Sequence, residues 1–106
     1  MDKLQSLLDA QQITQLLLKY PVALDSRDFD LLESLFTPDA RIEIPVAGTY
    51  DPAGFRVASE QGLARLDATQ HFVGQPLLNI EGECASARSY LSVSYTHLTL
   101  PTNREV

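Results

Sequence analysis

Basic residues are scarce in this chain. Eight Lys and Arg stand against 14 Asp and Glu, for a formal net charge of −6, and the cations form no cluster. Nothing offsets repulsion from phosphates, so nucleic acid and anionic membrane surfaces are excluded as partners. Cysteine occurs once, at Cys84, which rules out an internal disulfide and suits a reducing, cytoplasmic compartment. One thiol and two histidines offer no metal-ligand spacing, so no metal is expected. No run reaches the ~20 apolar residues of a membrane span, and the first five residues lack the apolar core of a signal peptide. Repeats, low-complexity tracts and linkers are missing too. What remains is 106 residues, 44% of them apolar, enough for one domain with a modest core.

The chain is organised around residues 23–40. Asp28 can cap a helix by accepting the free N–H groups two or three residues on, and Asp30 and Glu33 then suit the positive end of its dipole. Leu31, Leu32, Leu35 and Phe36 recur at helical spacing as one buried stripe, and Thr37-Pro38 ends the run. Before it, Leu4, Leu7, Leu8, Ile13, Leu16, Leu17 and Tyr20 mark a first helix that Pro21 should kink or stop. After it, Ile42, Ile44 and Val46 alternate as the inward face of an edge or bulged strand containing Pro45. Asp51-Pro52 starts a third helix to about Leu66, weakened by Gly54 and Gly62 and expected to lie over a cavity mouth. Strands follow at 68–73, 77–81 and 84 to about 93, the last two joined by a tight turn at Gly82-Glu83. The layout is α+β, with two or three helices on one face of a curved antiparallel sheet.

Leu24-Asp25-Ser26-Arg27-Asp28-Phe29-Asp30 after a helix ending near Tyr20, then Leu35-Phe36-Thr37-Pro38-Asp39-Ala40, then Ala68-Thr69-Gln70-His71-Phe72 and the stretch 80–90 resemble the SnoaL-like branch of the NTF2-like superfamily. The resemblance covers about residues 4–92. It implies a cone-shaped fold and a small cofactor-free dehydratase, isomerase or cyclase acting on a hydrophobic carbonyl compound. It equally admits a non-catalytic module that binds a ligand or serves as an accessory subunit, as in ring-hydroxylating oxygenases. A small hydrophobic substrate or ligand is the implied partner. A homodimer built on the uncovered face of the sheet is expected as well.

Taken alone, His71 reads as a structural strand residue and Asp25 as a loop acid. In the family, an Asp after a Leu at this place and a His in a Thr-x-His strand face each other, which makes the two a candidate catalytic pair. Tyr20 is placed as in members whose Tyr hydrogen-bonds the substrate oxygen; its other reading is a phenol closing the first helix with its hydroxyl in water. Asp28 reads as a cap, Arg27 as solvated or paired with a neighbouring acid, and Cys84 as a small buried apolar residue.

From about Val93 the pattern changes. Val93 to Val106 resembles the translated sequencing-adapter tails found at the ends of some metagenomic reading frames. On this reading residues 1–92 form an incomplete domain whose last strands are missing, and residues 93–106 are a foreign tail. Such a chain is expected to have an open sheet edge and marginal stability.

Overall fold

A computed structural model describes residues 3–97. In chain order it contains α1 (Lys3–Asp25), α2 (Phe29–Ser34), the hairpin β1 (Ile42–Ile44) and β2 (Gly48–Tyr50), α3 (Pro52–Leu63), then β3 (Leu66–Val73), β4 (Leu77–Glu81), β5 (Cys84–Arg88) and β6 (Leu91–His97). The strands pair antiparallel as three two-stranded ladders, β1–β2, β3–β6 and β4–β5. Three helices against antiparallel strands is the α+β class read from the hydrophobic periods. Among the described residues no helix is long and apolar enough to cross a membrane.

Pro21 does not stop the first helix. It lies inside α1 and is buried, and the helix runs on to Asp25. A proline removes one backbone donor and crowds one carbonyl, and here burial of Pro21, Ala23 and Leu24 outweighs that loss. The other end of α1 behaves differently: Leu4, Leu7 and Leu8 are exposed, at 66%, 67% and 49%. Only the last turns of α1 therefore belong to the core.

The two helix starts form as their sequences require. Asp28 accepts the Leu31 N–H at 3.1 Å. Asp51 accepts the Gly54 N–H at 2.7 Å, with Pro52 in the first turn. Leu32 is completely buried and joins Ala23, Leu24 and Phe55 in the core. Phe55 is its aromatic centre, stacked on Tyr20 at 6.4 Å and met edge-on by Phe36 at 5.9 Å. Arg56 bridges α3 to α2 through Asp30 at 2.6 Å and Glu33 at 3.3 Å. Those pairs tie α3 to α2 beside the core contacts of Phe55.

Three further expectations are corrected. Val46 does not point inward. It sits at φ 76° in the turn after β1 and is fully exposed, because the strand ends at Ile44, and only Ile42 and Ile44 pack on the core. The strand expected from Cys84 to about Val93 is two strands: β5 pairs with β4, β6 with β3, and the chain changes partner at Ser89-Tyr90. The Gly74 N–H donates to the Tyr90 carbonyl at 2.8 Å across that change. Cys84 is exposed, since both faces of β5 are open to solvent. The turn at Gly82 does form, with φ 61°, a conformation cheap only for glycine. β6 continues past Val93 to His97 in register with β3. The part of the expected foreign tail beyond His97 lies outside the described residues.

The two helical glycines are not equivalent. A Cβ on Gly54 would come within 2.9 Å of the Asp51 carboxylate that caps the helix, whereas a Cβ on Gly62 meets nothing within 4 Å. Gly62→Ala should therefore raise unfolding stability by about 0.5–1 kcal/mol, from the better helix propensity of alanine. Gly54→Ala should show no such gain. Urea unfolding of the two variants beside the parent measures the contrast.

Candidate functional site

The turn between α1 and α2 carries the site. The N–H of Arg27 donates to the Leu24 carbonyl at 3.2 Å, and that of Asp28 to the Ala23 carbonyl at 2.9 Å. This pair of reversed bonds is the Schellman ending of a helix, and it requires a left-handed residue at its corner. Arg27 occupies that corner with φ 60°. The geometry leaves Asp25 as the last helical residue, with its side chain turned to β3.

Residue 71 holds that carboxylate twice. The backbone N–H of His71 donates to Asp25 Oδ2 at 2.8 Å, and its ring Nδ1 lies 2.6 Å from Asp25 Oδ1. Thr69, two residues back on the same face of β3, donates its hydroxyl to Asp25 Oδ1 at 2.9 Å. The strand's period of two puts Thr69 and His71 on one side, so one carboxylate can meet both. The imidazole is 10% exposed and the carboxylate 27%. Desolvation, the largest single influence, pushes the Asp25 pKa up. The His71 backbone N–H, the ring and the Thr69 hydroxyl together outweigh it and hold the carboxyl below its ordinary value of 3.8. An ionised Asp25 can only accept, so Nδ1 carries the proton and Nε2 is left as the basic nitrogen.

His71 also lines a partly open cavity of about 360 Å³. Tyr20, Leu24, Tyr50, Phe55 and Leu63 form much of the apolar wall. α3 contributes Phe55, Ala58, Ser59, Gly62 and Leu63, so it lies over the cavity as its sequence position implied. Burial pushes the Tyr20 phenol above 10.0, which keeps it an O–H donor at neutral pH. The three residues singled out in the sequence thus fall at one place, with Tyr20 and His71 on the wall and Asp25 behind the imidazole. Among the described residues, no three His, Cys, Asp or Glu side chains gather as a metal site would need.

Two members of the site were not foreseen. Tyr50 enters the wall from the β1–β2 hairpin, its hydroxyl donating to the Ala47 carbonyl at 3.2 Å. Arg27 is neither solvated nor paired with an acid: its Nη1 donates to the Leu24 carbonyl at 2.7 Å and to Thr69 Oγ1 at 2.8 Å. The second contact crosses to β3, which no local pattern in the sequence signals.

A family model described as a SnoaL-like domain matches residues 5–102. The chain belongs to the SnoaL-like domain family. The match runs beyond Val93, where the resemblance read from the sequence had ended. This SnoaL-like domain is 34% identical over 82 residues to uncharacterised proteins of Mycobacterium tuberculosis and Mycobacterium bovis. The alignment takes in 76% of the chain but 56% of each relative, so the chain spans little more than half their length. Among solved structures, it is similar to a protein provisionally assigned as a scytalone dehydratase from Novosphingobium aromaticivorans, with a TM-score of 0.77 and 19% identity. That alignment covers 94% of this chain and 66% of the other. ActVI-ORFA of Streptomyces coelicolor gives a TM-score of 0.69 at 22% identity, covering 87% and 72%. At such identities the likeness establishes the fold, which is the α+β NTF2-like one.

The depressed Asp25 pKa has a testable sign. Because its folded value lies below 3.8, the group contributes stability that is present above about pH 4 and lost as pH falls through the folded value. Asp25→Asn should lower stability at pH 6–7, and the gap from the parent should close below pH 4. Denaturant melts across pH 3–7 measure it.

Proposed function

We propose that this SnoaL-like domain is a small cofactor-free acid–base enzyme, a dehydratase, isomerase or cyclase acting on a hydrophobic carbonyl compound. The observation that carries the reading is the 2.6 Å contact between Asp25 and a His71 that lines an apolar cavity. A loop acid left in water, or a cavity filled by side chains, would instead have favoured a ligand-binding module.

The chemistry follows from the donors and acceptors present. A substrate seated in the cavity offers a C–H bond α to its carbonyl to Nε2 of His71. The imidazole takes that proton, and Asp25 stabilises the imidazolium from the Nδ1 side. Charge moves to the carbonyl oxygen as the enolate develops, and the Tyr20 phenol is the candidate donor to it. If the substrate carries a hydroxyl on the β carbon, the enolate expels it and the imidazolium returns its proton to the departing oxygen, releasing water. If it carries a β,γ double bond instead, return of the proton to the γ carbon moves that bond into conjugation with the carbonyl. Neither route needs a redox cofactor. The fold neighbour assigned as a scytalone dehydratase supports the elimination class. The activity proposed is that of the whole protein; the chain spans little more than half the length of the mycobacterial relatives.

Hydrophobic ketones and enones should raise the melting temperature, since a ligand of the folded state stabilises it by mass action. With a turned-over compound in hand, His71→Ala and Asp25→Asn should each lower kcat by about 10²–10⁴-fold with the fold kept, the scale of a lost general base. Full turnover in both variants would remove the pair from the mechanism. Binding with no turnover in the parent would favour the ligand-binding module.

The proposal includes a homodimer. Phe72, on the face of β3 opposite Thr69 and His71, and Leu77 of β4 are exposed at 57% and 76%. Sedimentation at high micromolar concentration should give the mass of two chains, and a monomer there would refute the dimer.

A further inference from the structure

We propose that Arg27 is a positioning residue for the Asp25–His71 pair, acting through the hydroxyl of Thr69. The inference rests on the acid–base reading of the site and names a residue that reading does not use. Arg27 stands at the left-handed corner that ends α1, a conformation that glycine adopts without penalty and a side-chain-bearing residue does not. A side chain retained at such a corner needs a reason beyond the turn.

Its contacts supply one. Arg27 Nη1 donates to the Leu24 carbonyl at 2.7 Å and to Thr69 Oγ1 at 2.8 Å. A guanidinium has five N–H donors and no acceptor. Thr69 must therefore meet it with a lone pair, and the single hydroxyl proton is left for Asp25 Oδ1, 2.9 Å away. The guanidinium thus sets the direction of the Thr69 hydroxyl. That hydroxyl and the His71 ring share one oxygen of the carboxylate, and the His71 N–H holds the other. Arg27 Nη2 is buried with no hydrogen-bond partner among the described residues. A half-buried cation with one buried nitrogen unsatisfied is a cost to the fold, and the turn alone does not require it.

His71 on β3 is the titratable group in direct contact with Asp25. The other elements packed against it add none at close range. On α2, Asp30 and Glu33 engage Arg56 of α3, and Asp28 caps the helix. Lys19 on α1, Asp67 on β3 and Glu81 on β4 are exposed.

The test is a mutant cycle read without substrate, by the carbon-13 titration of the Asp25 side-chain carboxyl in the whole chain. Arg27→Gly suits the backbone of the turn, so the melting temperature should hold while the Asp25 midpoint rises by about half a unit, the scale of one neutral hydrogen bond. Thr69→Val should raise it at least as far, and Arg27→Gly added to Thr69→Val should do nothing more. Thr69→Ser, which keeps the hydroxyl, should retain both the low midpoint and its sensitivity to Arg27→Gly. Additive shifts in the double variant, or a lower melting temperature with an unchanged Asp25 midpoint, would overturn the proposal. Failure to find turnover would count against the acid–base reading and leave this result standing by itself.

Discussion

The carboxylate of Asp25 is the pin of this structure. It ends α1, and it is gripped from β3 by a backbone N–H, a ring nitrogen and a hydroxyl. The grip fixes where the long helix meets the strands, and with it the place of every side chain on the last turns of α1. Three donors on one carboxylate also make it an anion at neutral pH. The structural joint and the acid–base pair are therefore the same set of bonds. Removing the charge would loosen the joint, and loosening the joint would misplace the imidazole.

The core has a similar double use. Phe55 packs on Tyr20 and Phe36 and touches Tyr50, and three of these four rings also form cavity wall. With a core cluster of Ala23, Leu24, Leu32 and Phe55 among the described residues, the wall has little apolar mass behind it. α3 is held by the core contacts of Phe55 and by the Arg56 ion pairs with α2. Exposed ion pairs contribute little each, so the aromatic contacts carry most of the hold.

Much of the fold was legible in local chemistry. Asp28 and Asp51 announce helix starts because a short acidic side chain satisfies free N–H groups wherever such a start occurs. Gly82 announces a turn, and the alternation of β3 places Thr69 and His71 on one face without knowledge of any partner. The failures share a cause. Pro21 was read as a kink or a stop because its local cost is visible and its burial is not. Val46 and Cys84 were read as inward or buried because their apolar character is local, while exposure depends on where neighbouring strands end.

The candidate site divides along the same line. Sequence by itself determined the residue types and the strand face that presents His71. It also carried the family resemblance that paired His71 with Asp25. Only the tertiary structure decided that Arg27 reaches Thr69, that Tyr50 joins the wall, and that the strand after Cys84 changes partner at Ser89-Tyr90. These contacts join residues far apart along the chain, 42 positions in the case of Arg27 and Thr69. Periodicity and capping act over a few residues, so contacts made by packing one element on another leave no trace in them.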